Sequence, residues 1–570
     1  MTAWLSANLA PIMFGSLLLF LMTGFPVAFA LAACGMVFGW IAIELGMVPA
    51  ALFNALPLRL YGIMSNDVLL AIPFFTIMGL ILERSRMAED LLETIGQVFG
   101  PMRAGLAIAV VFVGAMLAAT TGVVAASVIS MGLISLPIML RYGYNRPLAA
   151  GVITASGTLA QIIPPSIVLI VIADQLGQSV GDMYKAAFIP AFTLVGIYVL
   201  GMLLLAVVRP SWVPALPPEA RIYRQPNGGG GYPSLALLTA ASVVVGSWVF
   251  SNYEQLKRWT GWTGTVSPPT DEKVVVALMV GIFFAWLVAV IDRILRLGLL
   301  SEIAKRVTFV LIPPLLLVFL VLGTIFLGVA TPTEGGAMGA AGAILMAISR
   351  RRLTLTLMRQ ALDSSAKLSI FVLFVLIGST IFALTFQAID GPTWVKTLFQ
   401  ELPGGELGFL IFVNVLIFIL GCFIDFFEIA FILLPLLLPV VEALEINLIF
   451  FGVMVALNLQ TSFLTPPFGF ALFYLRSVAP KKDYVDVVTR RNIAALKTTD
   501  IYRGAIAFVV LQVLLVALVV WKPEIILSGL GEQKKLDVQN VNISITPEEE
   551  TEEEPPPTLM APPPAPAPAN

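Results

Sequence analysis

The chain has 570 residues, of which 58% are hydrophobic and 12% are charged, and its mean hydropathy is +0.95. This composition excludes a soluble globular protein and predicts a polytopic membrane protein. The net charge of −2 gives no indication of a nucleic-acid partner. Because the sequence contains no histidine, it also excludes imidazole metal sites, histidine proton relays and Ser–His catalysis.

Apolar runs bounded by glycine, proline or charged residues predict about twelve membrane spans of bilayer-matching length. In chain order these spans are 9–22, 25–45, 66–83, 147–176, 189–208, 235–251, 273–291, 307–329, 335–349, 368–389, 448–475 and 504–521. The first apolar run lacks a basic segment before it and a clear cleavage site after it, so we interpret it as a span and not as a signal peptide. Cys34 and Cys422 lie in apolar runs, which favours packing as small hydrophobic residues over a disulfide.

Two further apolar regions, 104–140 and 408–440, are each too short for two full crossings joined by a turn. We predict that both are re-entrant hairpins, with tips at 120–127 and 421–428. Two short ordinary helices are the alternative at each place. Charge counting does not separate the two, because either geometry returns the chain to its starting side.

A pair of prolines interrupts two of the predicted spans, at Pro164 and Pro165 in 147–176 and again at 466–467 in 448–475. Proline has no amide hydrogen and clashes with the preceding turn, so carbonyl groups before each pair should lose their helical partners. In lipid this is tolerated only beside a cavity or a bound ligand. Two broken helices in corresponding halves of a chain predict the binding region of a secondary transporter, with a simple kink as the alternative.

The two halves match in spacing as well as in motif. Pro466 follows Pro164 by 302 positions, and Asn447 follows Asn145 by the same interval. The hairpin tips, at Thr120 and Gly421, are 301 positions apart. This agreement predicts an internal repeat in which each unit contains a hairpin followed by a broken helix.

The charges that flank the hairpins predict that the two repeats have opposite orientations. Arginines surround the first hairpin, whereas acidic residues surround the second, so the first should open to the cytoplasm and the second to the outside. We therefore predict an inverted-topology repeat. Its parts are a first repeat at 1–208, an inserted loop with two extra helices at 209–306, a second repeat at 307–521, and an acidic, proline-rich segment at 522–570 that we expect to be disordered.

Oxygen atoms at each hairpin tip and facing break predict sodium sites. Sodium prefers oxygen ligands, which unwound helices provide as carbonyl groups beside Thr, Ser and Asn side chains. The candidate ligands are Thr120, Thr121, Gly122, Ser156, Gly157, Ile163 and Pro164 in the first repeat, and Gly421, Asp425, Asn458, Thr461, Thr465 and Pro466 in the second. For each Ser or Thr, the alternative is a hydrogen bond back to its own helix.

Two carboxylates one helical turn apart, Asp425 and Glu428, interrupt the second apolar hairpin. An acid inside a membrane segment is a functional candidate because its desolvation is costly. The alternative is that the tip reaches water, which merely solvates these charges. Glu334, after Thr331 and Pro332, is instead expected to cap a helix. Since no basic residue lies clearly in the core, helix N-termini at the tips and breaks are expected to attract an anionic solute.

Four motifs together resemble the large membrane subunit of tripartite ATP-independent periplasmic (TRAP) transporters. They are Ile162-Ile-Pro-Pro-Ser166, Thr331-Pro-Thr-Glu334, Thr465-Pro-Pro-Phe-Gly469 and Tyr142-Gly-Tyr-Asn145. The resemblance covers 1–208 and 307–521. It implies sodium-driven import of a carboxylate-bearing organic acid across a bacterial inner membrane by an elevator mechanism.

The resemblance also implies partners and site residues. The partners are a soluble periplasmic substrate-binding protein and a small four-helix membrane subunit, which we expect here as a separate polypeptide. Sodium ions, the coupling ions, would lie near Thr120–Gly122 with Gly157–Pro165, and near Gly421–Asp425 with Thr461–Pro467. The solute would lie between the hairpin tips, at Thr121, Ser127, Ser166, Asp425 and Glu428.

The chain departs from the family pattern at two places. The two extra spans in 209–306 exceed the usual linker, and the customary Ser-Gly-Ser cluster of the hairpin reads Thr120-Thr-Gly122. A stand-alone sodium–anion symporter of similar architecture, which needs no binding protein, is the alternative function. A membrane enzyme such as a lipid-linked glycosyltransferase is a remote one, since histidine and an Asp-x-Asp motif are both absent.

Overall fold

The computed structural model describes residues 2–223, 231–259, 270–400, 403–486 and 488–530. The described chain is almost entirely helical, which confirms the predicted all-α membrane fold. Helical structure continues to Leu530, and Ile526 is fully buried, so the first nine residues of the segment predicted to be disordered are ordered. The rest of that segment lies outside the described residues.

The first repeat begins with short helices and ends with a long one. Its α-helices are α1 Thr2–Ala7, α2 Leu9–Met22, α3 Val27–Glu44, α4 Leu56–Met64, α5 Ala71–Arg84, α6 Met87–Phe99, α7 Gly105–Thr121, α8 Val124–Arg141, α9 Arg146–Thr158, α10 Ile167–Gln175 and α11 Val180–Val208. Turns of 3₁₀ helix lie at Ala50–Ala55, Asp67–Leu70 and Leu159–Gln161.

The inserted region and the second repeat complete the chain. The insertion contains 3₁₀ turns at Pro210–Trp212 and Pro218–Ala220, followed by α12 Tyr232–Ser251, α13 Tyr253–Trp259 and α14 Thr270–Leu295. The second repeat contains α15 Glu302–Phe326, α16 Pro332–Ser349, α17 Leu355–Ala388, α18 Gly391–Gln400, α19 Gly405–Leu420, α20 Phe426–Ala443, α21 Leu448–Phe463, α22 Phe470–Val478, the strands β1 Tyr484–Val485 and β2 Asn492–Ile493, and α23 Thr498–Trp521. The strands pair antiparallel, and α24 Glu524–Leu527 and a 3₁₀ turn at Ser528–Leu530 follow.

The hairpin and the broken helix occur twice in the same order, as α7 to α10 and as α19 to α22. The same residue type starts both broken helices. The side chain of Asn145 accepts a hydrogen bond from the Leu148 amide at 3.2 Å, and Asn447 accepts one from Phe450 at 3.0 Å. Because a helix leaves its first amides unpaired, this cap determines where each helix begins. Glu334 forms the predicted capping box with Thr331.

Helices of the first repeat pack against helices of the second, so the two repeats do not form separate domains. α3 lies along α17, α5 along α16, and α9 along α23. Glycines permit the close approaches. A Cβ atom built on Gly35 of α3 would lie 2.7 Å from the Ile381 carbonyl oxygen of α17, and one built on Gly378 would meet the backbone of Ala28. Interfaces of small residues are typical of membrane helices, where packing replaces the hydrophobic effect as the driving force.

Helix length and apolarity alone identify fewer spans than the twelve predicted, which stay a prediction. Among the described residues, nine helices are long and apolar enough to cross a membrane, or ten if the pair Ala50–Met64 and Asp67–Arg84, bent by 47°, is one span. The predicted spans 9–22, 147–176, 335–349 and 448–475 are not among them, because they are short, interrupted or less apolar. Two hairpin arms, α8 and α20, are instead long enough, so the choice between re-entrant and crossing hairpins stays a prediction.

Several helices begin earlier than predicted from hydropathy. α17 has 34 residues and starts at Leu355, before the predicted 368–389, and α11 starts at Val180, before 189. At 1.5 Å per residue α17 is about 51 Å long, well beyond the thickness of a hydrocarbon core. Hydropathy identifies only the apolar part of such a helix, whereas a good capping residue such as Thr354 sets its true start.

The two extra helices form a unit that packs on α15. α12 and α14 lie against each other, with Gly246 and Gly281 at their close approach, and α14 also lies along α15. α12 and α14 each contain a candidate membrane span, as predicted. Ion pairs join α13 to the start of α14, between Lys273 and Glu254 at 3.0 Å and between Lys257 and Glu272 at 3.1 Å.

Asp486 joins the loop after α22 to the first hairpin. Its carboxylate accepts hydrogen bonds from Nε of Arg141, the last residue of α8, at 2.9 Å, and from the amide and hydroxyl of Thr489 at 2.7 and 2.8 Å. Burial raises the pKa of Asp486, but the hydrogen bonds from Thr489 and the Arg141 guanidinium outweigh it and hold the pKa at about 2. The ionised carboxylate therefore stabilises the native loop.

We expect Asp486→Asn to lower the melting temperature at pH 7. Because the folded pKa lies below the unfolded value of about 4, the carboxylate stabilises the fold above about pH 4, and this contribution is lost as the pH falls through about 2. The difference between variant and wild type should therefore shrink between about pH 4 and pH 2 in thermal unfolding of the purified protein. Asp483→Asn, in the same loop, is the control, and a difference that does not change with pH would contradict this role.

Candidate functional site

The first hairpin turns at Gly122, which has a φ of +60° and ends α7 in the left-handed conformation. The hydroxyl groups of Thr120 and Thr121 donate to the Leu117 carbonyl at 3.0 and 2.8 Å. Thr121 and Ser127 also lie within hydrogen-bonding distance, at 2.9 Å. A threonine that donates its proton to its own helix keeps oxygen lone pairs for a cation, so the back-bonding is compatible with a ligand role.

The broken helix opposite this tip loses its regular hydrogen bonding at the proline pair. In the described part of the chain, the carbonyl groups of Ile162, Ile163, Pro164 and Pro165 receive no hydrogen bond. The Ser166 hydroxyl donates to the Gln161 carbonyl at 2.7 Å and leaves the start of α10 without a side-chain cap. The break thus combines unpaired carbonyl oxygens with the unpaired amides of a helix N-terminus, as its prolines predicted.

Two buried side chains next to the break have polar atoms without partners. Oγ of Ser156 and both amide atoms of Gln161 make no hydrogen bond to any described residue, although both residues are 0% exposed. Leaving a buried polar group unpaired costs about 1–3 kcal/mol. A bound ion or water is the usual means of satisfying such atoms.

Close contacts hold the first tip against this break. A Cβ atom built on Gly114 of α7 would lie 2.5 Å from Cβ of Ser156, and one built on Gly122 would lie 3.2 Å from Cγ1 of Ile167. Gly157 faces Val128 of α8 in the same way. The structure therefore packs the first hairpin directly on the broken helix at Ser156, Gly157 and the start of α10.

The second hairpin tip has a structural explanation for its two acids. Asp425 precedes α20 and accepts a hydrogen bond from the Phe426 amide at 2.7 Å. Glu428 accepts one from the Asp425 amide at 3.2 Å, and the two residues form a capping box. Both side chains are half-buried. The sequence pattern was interpreted as a ligand pair, yet capping accounts for its spacing equally well.

The remaining predicted residues of the second repeat lie on α21 and its break. Gly421 contacts the Ser462 side chain, while the hydroxyls of Thr461 and Thr465 donate to the Leu457 and Thr461 carbonyls, both at 2.9 Å. Pro466 is half-buried and Pro467 is exposed, so this break lies closer to the surface than the first. The 3₁₀ turn Leu159–Gln161 packs on α21, which links the two breaks.

Sequence reasoning missed two residues of these clusters. One is Gln161, because the prolines predict unpaired carbonyl groups before them but give no indication of an unpaired side-chain amide. The other is Asn414 of α19, whose carbonyl accepts a hydrogen bond from Asn458 at 2.6 Å and whose Oδ1 is buried without a described partner. A single amide in the apolar run 408–420 was the available signal, because polar groups in membrane helices are expensive.

The first cluster offers only neutral oxygen atoms, whereas the second adds the carboxylates of Asp425 and Glu428 to its hydroxyl and amide groups. The described residues contain no group of three or more His, Cys, Asp or Glu side chains that could hold a metal ion. Carbonyl, hydroxyl and amide oxygens suit a hard monovalent or divalent cation and do not suit a soft transition metal.

Two hairpins packed on two broken helices, with unpaired polar atoms at the first break, are typical of a membrane transport protein. The family model "Tripartite ATP-independent periplasmic transporter, DctM component" matches residues 14–525. The chain therefore belongs to this family of large TRAP transporter permeases, as its motifs predicted.

Sequence similarity to other large TRAP transporter permeases covers most of the chain. The C4-dicarboxylate TRAP transporter large permease protein DctM of Pseudomonas aeruginosa is 27% identical over 75% of this chain and 81% of that protein. The 2,3-diketo-L-gulonate TRAP transporter large permease protein YiaN of Escherichia coli is 24% identical over 90% and 97%. Among solved structures, the YdaH transporter of Alcanivorax borkumensis matches with a TM-score of 0.46 and 11% identity, covering 82% of this chain and 87% of that one.

These findings place the chain in the bacterial inner membrane as a multi-pass protein. Both relatives are permease components and not enzymes. The remote glycosyltransferase alternative is therefore wrong.

Proposed function

We propose that this chain imports an organic anion in symport with sodium ions, as the permease of a three-part transporter. The observation that carries the proposal is the first oxygen cluster, in which Ser156 and Gln161 are buried and unpaired beside four carbonyl groups without hydrogen bonds. A sodium ion would satisfy several of these oxygens at once. The second cluster, around Asp425 and Asn458, is proposed as a second sodium site.

The proposed solute is a carboxylate. Relatives are named for C4-dicarboxylates, 2,3-diketo-L-gulonate and isethionate, all of which are organic anions. α8 and α10 both begin without a side-chain cap, so their free amides and positive dipole ends remain available to an anion. The N-terminus of α20 is already neutralised by Asp425 and Glu428, and we therefore place the solute nearer the first tip, beside Thr121, Ser127 and Ser166.

An elevator movement and two partner proteins complete the proposal. The helix pairs that join the two repeats, α3 with α17 and α5 with α16, would form the fixed scaffold, while the hairpins and broken helices would move as a unit. A periplasmic binding protein would deliver the solute, and a small membrane subunit would be a separate chain. The isethionate TRAP transporter permease protein DctMQ of Oleidesulfovibrio alaskensis is longer than this chain, since the match covers 61% of it. We infer that its remaining part corresponds to a fused small subunit.

The deciding experiment is uptake into proteoliposomes that contain this chain and its small membrane partner. Uptake is measured with and without an inward sodium gradient and with and without the binding protein. We expect uptake only when all components and the gradient are present. Sodium-driven uptake without the binding protein would favour the stand-alone symporter, and uptake indifferent to sodium would refute coupling.

We expect Ser156→Ala to raise the sodium concentration for half-maximal uptake about tenfold, because one ligand worth about 1.4 kcal/mol is removed. Ser135→Ala is the matched control, since Oγ of Ser135 is also buried and unpaired but lies on α8 away from the tip. Sodium dependence is measured as initial uptake rate against sodium concentration. An equal response of the two variants would remove Ser156 from the site.

A further inference from the structure

A basic cavity of about 1030 Å³ lies between α6, α14, α15 and α16. We propose that it binds the phosphate headgroup of an anionic phospholipid. The proposal does not depend on the transported solute or on sodium. It concerns the place where the inserted helix α14 meets the second repeat.

The cavity has a surplus of positive charge. Five cationic side chains and two acids, Asp90 and Glu302, line it, and because Lys305 is paired with Glu302 and with Asp292, the arginines carry the surplus. The cationic side chains are Arg293, Lys305, Arg306, Arg350 and Arg352. These residues belong to segments that the distribution of lysine and arginine predicts to be cytoplasmic, the side on which anionic lipids attract basic residues.

Asp90 organises three of these cations without neutralising them. Its carboxylate lies 2.8 Å from Arg352, 3.1 Å from Arg350 and 3.9 Å from Arg306. The Asp90 side chain is 15% exposed, so the acid sits inside the cluster. One carboxylate facing three guanidinium groups leaves a local excess of positive charge that a further anion would stabilise.

Arg293 and Arg306 are best placed to receive a phosphate. Arg293 lies over the ring of Phe309 at 5.2 Å and forms no ion pair within the described part of the chain. The Arg306 side chain is 42% exposed, and its contact with Asp90 is the longest of the three. A planar guanidinium offers two parallel donors that match a phosphate.

The same cavity continues into an apolar wall, which favours a lipid over a free anion. Leu316 and Leu320 of α15 and Leu345 of α16 form part of its lining. Leu345 is 65% exposed and faces the surroundings of the helix bundle. A headgroup held by the arginines would thus have its acyl chains beside leucine side chains.

The inserted helix supplies two groups to this site, Arg293 and Trp286. Tryptophan is enriched at the level of lipid headgroups, where its ring is apolar and its N–H can meet water. The insertion, which departs from the usual family pattern, would therefore complete a lipid site that the repeats alone contain only in part.

The test measures thermal unfolding of the full-length chain in neutral detergent with added phosphatidylglycerol, phosphatidylcholine or sodium phosphate. We expect phosphatidylglycerol alone to raise the melting temperature. Arg293→Gln with Arg306→Gln should raise the half-saturating phosphatidylglycerol concentration about thirtyfold, because the contributions of two basic residues to the attraction of an anionic lipid are lost. Lys481→Gln with Lys482→Gln removes the same charge from an exposed loop and should behave as wild type.

Arg293→Lys with Arg306→Lys keeps the charge and should retain most of the response. If the double glutamine variant does not fold, the single variant Arg293→Gln is used instead. Mass spectrometry then measures the lipid that co-purifies with it, and we expect less phosphatidylglycerol than with wild type. If Arg293→Gln with Arg306→Gln responds to phosphatidylglycerol as strongly as the control Lys481→Gln with Lys482→Gln, the proposal is overturned. Equal stabilisation by phosphatidylcholine or by phosphate alone would also overturn it, the latter indicating a site for a free anion.

Discussion

Asp425→Asn is expected to weaken sodium dependence while leaving the fold intact. Asparagine is as good an N-cap as aspartate, so α20 should still begin at Phe426, but the charge is lost. If the carboxylate contacts sodium, as we propose, the sodium concentration for half-maximal uptake should rise tenfold or more, since about 1.4 kcal/mol corresponds to one decade. The measurement is sodium-dependent uptake together with thermal unfolding of the same preparation.

Asp425→Ala separates the two roles of this residue. Alanine removes the charge and the cap, which should add a loss of about 1 kcal/mol of stability that Asp425→Asn does not show. Glu428→Gln is the control, because glutamine can keep its half of the capping box. Wild-type sodium dependence in Asp425→Asn, combined with a lower melting temperature in Asp425→Ala, would show that Asp425 is only a helix cap.

Gly504→Ala is expected to disrupt the packing of the first broken helix on the last long one. A Cβ atom at Gly504 of α23 would overlap the Pro147 carbonyl oxygen of α9, and Gly151 faces Gly504 across the same contact. The obstacle is backbone and not the end of a flexible side chain, so the helices must separate. Overpacking of this kind costs about 1–3 kcal/mol, and more where nothing can move.

The matched control for this variant is Gly196→Ala on α11. No described atom lies within 4 Å of a Cβ atom built on Gly196, so an added methyl group there meets open space. In a helix alanine is favoured over glycine by about 1 kcal/mol, and the control should therefore be neutral or slightly stabilising. Melting temperatures in detergent, with membrane expression level, are the measurements. Equal melting temperatures for the two variants would contradict the close crossing of α9 and α23.

Much of the first oxygen cluster was predictable, because its signals are local. The proline pair at Pro164 removes helical hydrogen bonds from its own neighbours whatever surrounds it, and Gly122 ends its helix through its own φ. The role of Asp425 was less predictable. The same four-residue pattern serves as an ion ligand or as a capping box, and only the direction of its carboxylate separates the two.

Composition, proline pairs and capping asparagines thus suffice to establish a membrane protein with a hairpin and a broken helix in each half, since each signal acts on residues within about one helical turn. The pairing of α3 with α17, the isolation of the Gln161 amide and the gathering of Arg306, Arg350 and Arg352 around Asp90 depend on the folded chain. These features join residues more than a hundred positions apart. Their formation is governed by shape complementarity and burial between helices, which no local pattern encodes.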